Sequence, residues 1–562
     1  MIHRKILLLT AMLALLTQVT AQVGYQALNY SMRTSSDWHR VEQTDSTRQS
    51  SFYPNITSDS KTLGTAFNGY IPINKADSLF LLNKKYQERS WFHRKLLKEH
   101  FIIVDTGLFY LTVDPLFNVS AGAGRFSKYI PNQNSPVVGG YNNYTGSIYN
   151  NTRGILLKGD IGSRLSFESY FYENQSRFPG YIDDFVNEYN VVPGQGRVKN
   201  FKMSGFDFAQ SGGYLSYAPG RNFNVQFGHH KHFVGDGYRS LFLSDNSFNY
   251  PFLRSNLWFF KNRVNYSVMY TSFQNLNRLP TPTSSEAPFE RKAGSFHFLQ
   301  VQATKWLRLN LFQGMIWKTM DTNGKSDIDY NMFNPVMFVN PALYGLDDRN
   351  NALLGFGFKA DLSKKITFYG QYALDDYETE RFALQAGAYY FLFKSLRLQA
   401  EFNHVQAYTY AFPQNNRQAY THYNEGLAHP LGTGFDEFLV RVNYRYRRIL
   451  VEAQMLIAKH QIDPPNNRSD VFESDDVTVT IPPTNSNDFD QTNSNNQSPS
   501  SIFLELAYLI NPATNVKVFL NGTHRVSYIN YDLNLGFPNP SSKNIFIYFG
   551  LRTDLRNLYY DF

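Results

Sequence analysis

The sequence predicts an all-β fold, a transmembrane antiparallel β-barrel of about 18 strands with a small N-terminal periplasmic helical element. Three observations carry that expectation. From about residue 101 onward the hydrophobic period is two, and it stays two to the end of the sequence. Tight turns alternate with long polar loops along the same stretch. The composition is aromatic, with 39 Tyr and 48 Phe against 5 Trp, yet the mean hydropathy is only −0.40. A wall with an apolar, aromatic outer face and a polar inner face explains both figures at once.

In chain order, the first element is a secretory signal over residues 1–21. His3, Arg4 and Lys5 precede an apolar run from Ile6 to Leu16, and Val19 and Ala21 stand at the spacing that signal peptidase reads. That run is too short to span a bilayer, and no later stretch reaches the roughly 18 apolar residues of a transmembrane helix. A membrane location therefore requires strands. Residues 22–73 are polar and rich in Ser and Thr, and are expected to form an extended or irregular periplasmic segment. Over residues 74–100, Ala76, Leu79, Leu82, Tyr86 and Trp91 recur at near-helical spacing, which predicts one or two periplasmic helices.

Residues 101–562 are expected to form the barrel with long extracellular loops. Leu396, Leu398, Ala400 and Phe402 alternate with Arg397, Gln399, Glu401 and Asn403, and Val440, Val442, Tyr444 and Tyr446 with Arg441, Asn443, Arg445 and Arg447. Soluble sandwiches alternate too, so the connections discriminate better. Tight turns fall near 159–164, 219–222, 261–263, 304–306, 362–365, 393–395, 447–448 and 510–514. Between them lie loops at 125–152, 174–210, 229–252, 274–296, 318–353, 375–381, 405–437, 458–501 and 524–543. Eight turns and nine loops imply about 18 strands with both termini periplasmic. Residues 101–113 also alternate, and can be read as a wall strand or as a periplasmic one. The C-terminal segment, finishing in Leu558, Tyr560 and Phe562, reads as the closing strand and resembles the signal that outer-membrane insertion machinery recognises.

The chain has no cysteine, which excludes disulfides, thiolate metal sites, cysteine nucleophiles and a lipidated cysteine. Its +8 formal charge is scattered singly rather than clustered, so nucleic acid is not an expected partner. An anionic partner such as lipopolysaccharide or an acidic surface glycan fits better.

Residues 228–254, GHHKHFVGDGYRSLFLSDNSFNYPFLR, resemble the capsule-assembly Wzi family, in which an aromatic strand enters a G-x-G turn followed by a Leu-Ser-(Asp/Asn)-Asn run. Residues 334–362, NPVMFVNPALYGLDDRNNALLGFGFKADL, followed by ITFYGQYALDDYE, are similar to the Bacteroidota branch that contains the gliding-motility protein RemB. The chain departs from the enterobacterial pattern in its longer loops and in Phe233-Val234, where two Trp are usual. The resemblance implies an eighteen-stranded outer-membrane barrel that holds surface polysaccharide or, in the second branch, supports gliding and adhesion.

Candidate ligand-binding residues are His230, His232, Asp236, Arg239, Asp245, Asn246, Asp347 and Arg349. The run His229, His230 and His232 invites a metal, but two ligands on one strand face lack a third, and no H-E-x-x-H spacing is present. Gly235 and Gly237 lack the third glycine and the following helix of a phosphate loop, and read as a tight reversal. Asp236, Arg239, Asp245 and Asn246 are expected to fold into the lumen and to present charge to a ligand or plug it. The pairs Asp183-Asp184, Asp347-Asp348 and Asp375-Asp376 lack the separation across a scissile bond that glycosidases need. Loop tyrosines 141, 144, 408, 410, 420 and 423 are able to stack on sugar faces, or to serve as interfacial girdle residues.

No catalytic residues, cofactor or metal are expected. The leading expectation is a non-enzymatic barrel that binds or anchors surface polysaccharide or supports gliding. The alternatives are a diffusion channel, given lumen charges of both signs at Glu168, Arg397, Glu401, Arg441, Arg445, Glu452, Glu505 and Lys517, and a component of a secretion or motility assembly docking through the periplasmic segments. Outer-membrane lipid is a partner in each case.

Overall fold

Strands of alternating character satisfy their backbone groups only by pairing with neighbours, and a membrane-spanning sheet has to close on itself to leave no edge. In the computed structural model it does close. The described residues are 24–26, 28–31, 33–34, 49–57 and 90–562, the last range excepting 133–134, 163, 203–204, 279–286, 322–323, 326–328, 347–349, 377–380, 413–417, 463–494, 531–540 and 554–556. The signal segment, residues 58–89, and the candidates Asp347 and Arg349 lie outside them.

Eighteen antiparallel wall strands follow one another in sequence order. They are β1 (Phe109–Asn132), β2 (Ser135–Ile161), β3 (Leu165–Arg177), β4 (Gly205–Gly220), β5 (Phe223–His230), β6 (Tyr250–Phe259), β7 (Val264–Arg278), β8 (Phe289–Gln302) and β9 (Leu307–Asp321). They continue as β10 (Asn351–Asp361), β11 (Ile366–Asp376), β12 (Arg381–Phe393), β13 (Leu396–Val405), β14 (Phe435–Tyr446), β15 (Ile449–Ile462), β16 (Asn495–Asn511), β17 (Val516–Asn530) and β18 (Ser541–Thr553). The seam pairs Ile545 with Arg125 through to Arg552 with Asn118, joining β18 to β1.

The two faces differ as the alternation predicts. On β16, Ile502, Leu504, Leu506 and Tyr508 point outward and are 57, 54, 52 and 48% exposed, a row of apolar groups that only a lipid-like surround would favour. On β13, Arg397, Gln399, Glu401 and Asn403 are buried in the lumen while Leu398 and Phe402 face out. All eight short turns fall where the sequence places them. Among the described residues no helix is long and apolar enough to cross a membrane, a statement that does not bear on strands.

Several expectations need correction. The stretch 125–152 is not a loop: β1 and β2 stay paired from Phe109 with Ile161 up to Asn132 with Ser135. Other strands also outrun their expected ends, because beyond the bilayer edge both faces of a strand meet water and the polar contrast that marks a strand vanishes. At the opposite end, Ile102–Asp105 pairs with the foot of β1, so residues 101–113 contain both a short non-wall strand and the start of the wall. The described part of the helical element is one helix, α1 (Trp91–Leu97), held under β16 by Asn511 Nδ2, which donates to the carbonyls of Lys95 and Glu99 at 2.8 and 2.9 Å.

The largest correction concerns the chain ends. Residues 24–34 and 49–57 are not a free periplasmic segment; their described parts are built into the lumen. The closing strand ends at Thr553, and residues 557–562 run back up inside the barrel instead of extending the wall. Leu558, Tyr560 and Phe562 alternate as a strand does, but the tail's burial is against lumen walls.

Candidate functional site

The lumen holds a plug assembled from four separate stretches. The first is the connection 231–249 between β5 and β6, which carries most of the candidate residues. Phe233–Val234 pairs with Phe52–Tyr53 of the N-terminal segment, and Val234 bridges back to Leu243, so the intervening glycines form a tight inward loop. Gly235 takes φ 155°, and a side chain there would collide with Gln371. Arg254 anchors the N-terminal stretch, donating to the carbonyls of Phe52 and Pro54 at 3.0 and 2.8 Å.

Arg239 is the hub. Its guanidinium, 1% exposed, grips both oxygens of Glu437, with Nη2 to Oε1 at 3.0 Å and Nε to Oε2 at 3.3 Å, and reaches Asp561 of the tail at 3.2 Å. Glu401 accepts the backbone N–H groups of Tyr238 and Arg239 at 2.8 and 3.0 Å. A buried carboxylate needs such partners to remain charged. Asp236 accepts from Ser51 Oγ at 2.8 Å and lies 3.5 Å from Lys359 Nζ. Asp245 accepts from Asn557 Nδ2 and Tyr559 OH of the tail at 2.7 and 2.8 Å. Asn246 donates to the carbonyl of Gly426 at 2.7 Å.

Of the eight sequence candidates, the structure brings His232, Asp236, Arg239, Asp245 and Asn246 together in this plug, with His230 buried beside it at the end of β5. His232 stacks edge-on to Phe252 at 4.3 Å, and its ring lies 6.5 Å from that of His230. Among the described residues no three metal-ligating side chains converge. Sequence reasoning missed Glu437, Tyr238, Asp561 and Tyr559. The inward phase of Glu437 on β14 was a usable signal; the tail residues had none, because their alternation mimics a wall strand.

The remaining stretch is the connection 406–434 between β13 and β14. Tyr410 and Tyr420 donate their hydroxyls to the carbonyls of Leu241 and Phe242 at 2.9 and 2.7 Å. These two tyrosines clamp the plug and offer no face to a sugar, contrary to expectation. Above them, Lys231 Nζ donates to the carbonyls of Gly194 and Asp245 at 2.6 and 3.1 Å, and the Gly194 N–H donates to Glu425 at 2.6 Å. Burial pushes the Glu425 carboxyl far above the usual carboxylate range, and the Gly194 N–H and the Lys231 charge offset part of that rise.

The plug leaves two surfaces for a ligand. Inside, a cavity of about 330 Å³ lies between the tail and strands β1–β3 and β14–β18, lined by aromatic rings such as Tyr172, Phe503 and Tyr548 and by amides such as Asn118, Asn174 and Gln454. Its charged members are paired: Glu505 with Lys517 and Arg552, each at 2.9 Å, and Arg441 with Glu452. At the outward end, half-buried rings form a continuous patch. Tyr423 stacks on Phe248 at 4.6 Å, Gly196 packs under Phe248, and the neighbouring Arg197 and Arg278 flank Phe289 at 4.8 and 4.6 Å. Asn424 donates to the carbonyl of Tyr189 on the last turn of α2 (Gly180–Tyr189), the helix that caps the tail. The half-buried ring of Tyr423 is placed as the sugar-stacking expectation requires.

No protein-family model and no curated protein sequence matches the chain. Among solved structures, it is similar to Wzi, an outer-membrane protein involved in Group 1 capsule assembly in Escherichia coli and described as a carbohydrate-binding β-barrel, with 13% identity, a TM-score of 0.52 and coverage of 94% of this chain and 99% of that one. OprD and OpdQ of Pseudomonas aeruginosa also match, at 9 and 8% identity and TM-scores of 0.37 and 0.36, over 78% of this chain and 94 and 97% of theirs.

Proposed function

We propose that this barrel resides in the outer membrane, carries out no chemistry, and holds surface polysaccharide at its outward end. The observation that carries the reading is the patch of Tyr423, Phe248, Phe289, Arg197 and Arg278 seated on a lumen packed with its own chain. Ring faces stack on the apolar faces of sugars, and guanidinium groups pair with uronate carboxylates. The plug holds that platform rigid. Similarity of fold to a carbohydrate-binding barrel supports the same reading.

A diffusion channel is the competing reading. Lumen charges that favoured it are spent internally: Glu168 on Lys158, Arg441 on Glu452, Glu505 on Lys517 and Arg552, and Glu401 on the N–H groups of Tyr238 and Arg239. The test uses detergent-folded protein, its barrel checked by heat-modifiable gel mobility, titrated with native surface polysaccharide. Binding is expected, with Tyr423→Ala and Arg197→Ala each weakening it. Losing one aromatic stack worth ~0.5–1.5 kcal/mol corresponds to roughly two- to thirteenfold in affinity. A folded barrel that binds no polysaccharide and conducts ions in planar bilayers overturns the proposal in favour of the channel.

A further inference from the structure

The connection from β9 to β10 was expected as an extracellular loop over residues 318–353. Its described part instead descends the outside of the wall. Phe296, Phe298, Phe312 and Ile316 point into the lumen core, so the intervening His297, Gln313 and Met315 point outward. Outward residues at this depth elsewhere are exposed, yet His297 and Gln313 are both 0% exposed. What covers them is residues 329–346, a 3-10 turn (Tyr330–Phe333) followed by the short helix α3 (Val339–Tyr344). Met332 and Leu346 pack there against Met315, Trp317 and Ala352.

Depth follows from register. Gln313 lies six residues above the β9 start at Leu307, which is roughly 15 Å at ~3.3 Å per residue and a ~40° tilt, near the middle of an apolar band about 25 Å tall. Irregular backbone at that depth survives only if its polar groups find partners in protein. Here the wall provides them. Tyr270 and Tyr266 donate their hydroxyls to the carbonyls of Phe333 and Pro335 at 2.9 and 2.6 Å, and Gln313 Oε1 accepts the N–H of Phe338 at 2.5 Å. Asn340 and Asn331 close the flap internally, donating to the Asn331 carbonyl and the Tyr344 hydroxyl, each at 2.9 Å.

The opposite face of the flap is apolar. Residues 330–346 contain no Asp, Glu, Lys or Arg. Phe333, Val336, Phe338 and Leu343 are 48, 56, 36 and 64% exposed, and every Asn of the stretch is turned inward or half-buried. That surface continues the lipid-facing wall formed by residues such as Phe356 and Tyr372 on the adjoining strands.

We infer that residues 329–346 are a re-entrant flap embedded in the bilayer, whose outer face binds lipid acyl chains in place of the strands it covers. The inference rests on the reading that this barrel spans a membrane. The wall tyrosines 266 and 270 and Gln313 are then positioning residues: polar groups set on a lipid-facing wall because the flap's backbone requires them.

The chain's lack of cysteine makes the test direct. Val336→Cys and Leu343→Cys, both at exposed positions, are labelled with a bimane fluorophore and reconstituted in vesicles containing lipid brominated at mid-chain. Leu504→Cys on the outer wall and Arg197→Cys at the aqueous rim serve as references. The expected result is bromolipid quenching equal to that at Leu504→Cys and loss of the iodide quenching seen at Arg197→Cys. Iodide quenching at both flap sites equal to that at Arg197→Cys, with Leu504→Cys lipid-quenched, overturns the flap and leaves the membrane reading intact. Disulfide-linked dimers of either flap variant without lipid quenching also overturn it, since a second copy then occupies the face. Absence of lipid quenching at Leu504→Cys as well overturns the membrane reading itself.

Discussion

Replacing Arg239 by Ala removes a guanidinium that binds Glu437 through two nitrogens and reaches Asp561 with a third contact, at a point where Arg239 and Glu437 are 1 and 0% exposed. Removing one partner of a buried pair leaves the other charge uncompensated, at a cost of ~3–5 kcal/mol. Glu437 retains two partners, His429 Nε2 at 3.1 Å and Asn403 Nδ2 at 2.9 Å, which places the expectation at the low end of that range. At ~1.4 kcal/mol per factor of ten, a loss of about 3 kcal/mol shifts the docked-to-released equilibrium of the plug roughly a hundredfold. The wall strands do not depend on this pair, so the barrel persists. The assay is current through single barrels in planar bilayers as urea is raised, with heat-modifiable mobility confirming the fold. Arg239→Ala should open at urea concentrations where the unaltered protein stays closed. Arg239→Met with Glu437→Met should recover much of the closure, because the fully buried Glu437 charge leaves with its partner and Asp561, the less buried of the two acids, keeps the Tyr238 hydroxyl and Gln454 as donors. If Arg239→Ala remains closed across the urea range in which the barrel itself persists, the argument that this pair locks the plug is wrong.

Three further outcomes follow from the same geometry. Removing residues 557–562 should leave an inserted, heat-modifiable barrel, because the last wall strand ends at Thr553, while the plug loses the Asp561 and Tyr559 contacts and opens in the same current measurement. Failure of that truncated chain to insert would mean that the tail, and not β18, carries the insertion signal. Glu425 binds its proton more tightly in the folded state than in the unfolded one, so its stabilisation of the cap is complete below the ordinary carboxylate range and is lost as pH rises through the raised folded value. Opening should therefore become more frequent from acid toward alkaline pH in the unaltered protein and lose that slope in Glu425→Gln; an unchanged slope would assign it to another group. Tyr266→Phe combined with Tyr270→Phe should strip two hydrogen bonds from the flap, each worth ~0.5–1.5 kcal/mol, and raise iodide quenching at Val336→Cys; no rise would show that the flap is held by packing alone.

The wall was legible because a bilayer imposes two environments on every strand, and period-two sequence records them directly, as in Leu396–Val405. Strand ends were not legible for the same reason inverted: past Arg125 on β1 and before Tyr149 on β2 the environment no longer differs between faces, and the residues read as loop. The inward fold of residues 231–249 was foreseen from charge placed between two wall strands. Its partners were not, because Asp561 is 322 residues from Arg239 and no local pattern encodes that meeting. The flap had a signal that went unread: a long connection between Asp329 and Asp347 without one charge, where an aqueous loop carries several.

The plug also joins the two extremities of the described chain. Tyr30 N–H donates to Asn557 Oδ1 across 527 residues, and Asn557 Nδ2 reaches back to the Leu28 carbonyl. Contacts of such separation form late, since every intervening segment has to be ordered before the loop-closure entropy is recovered. A chain without residues 557–562 can still zip its hairpins one after another and keep Phe52–Tyr53 on Phe233–Val234, but Leu28 and Tyr30 lose the two Asn557 bonds that fasten one end of the lumen filling to the other.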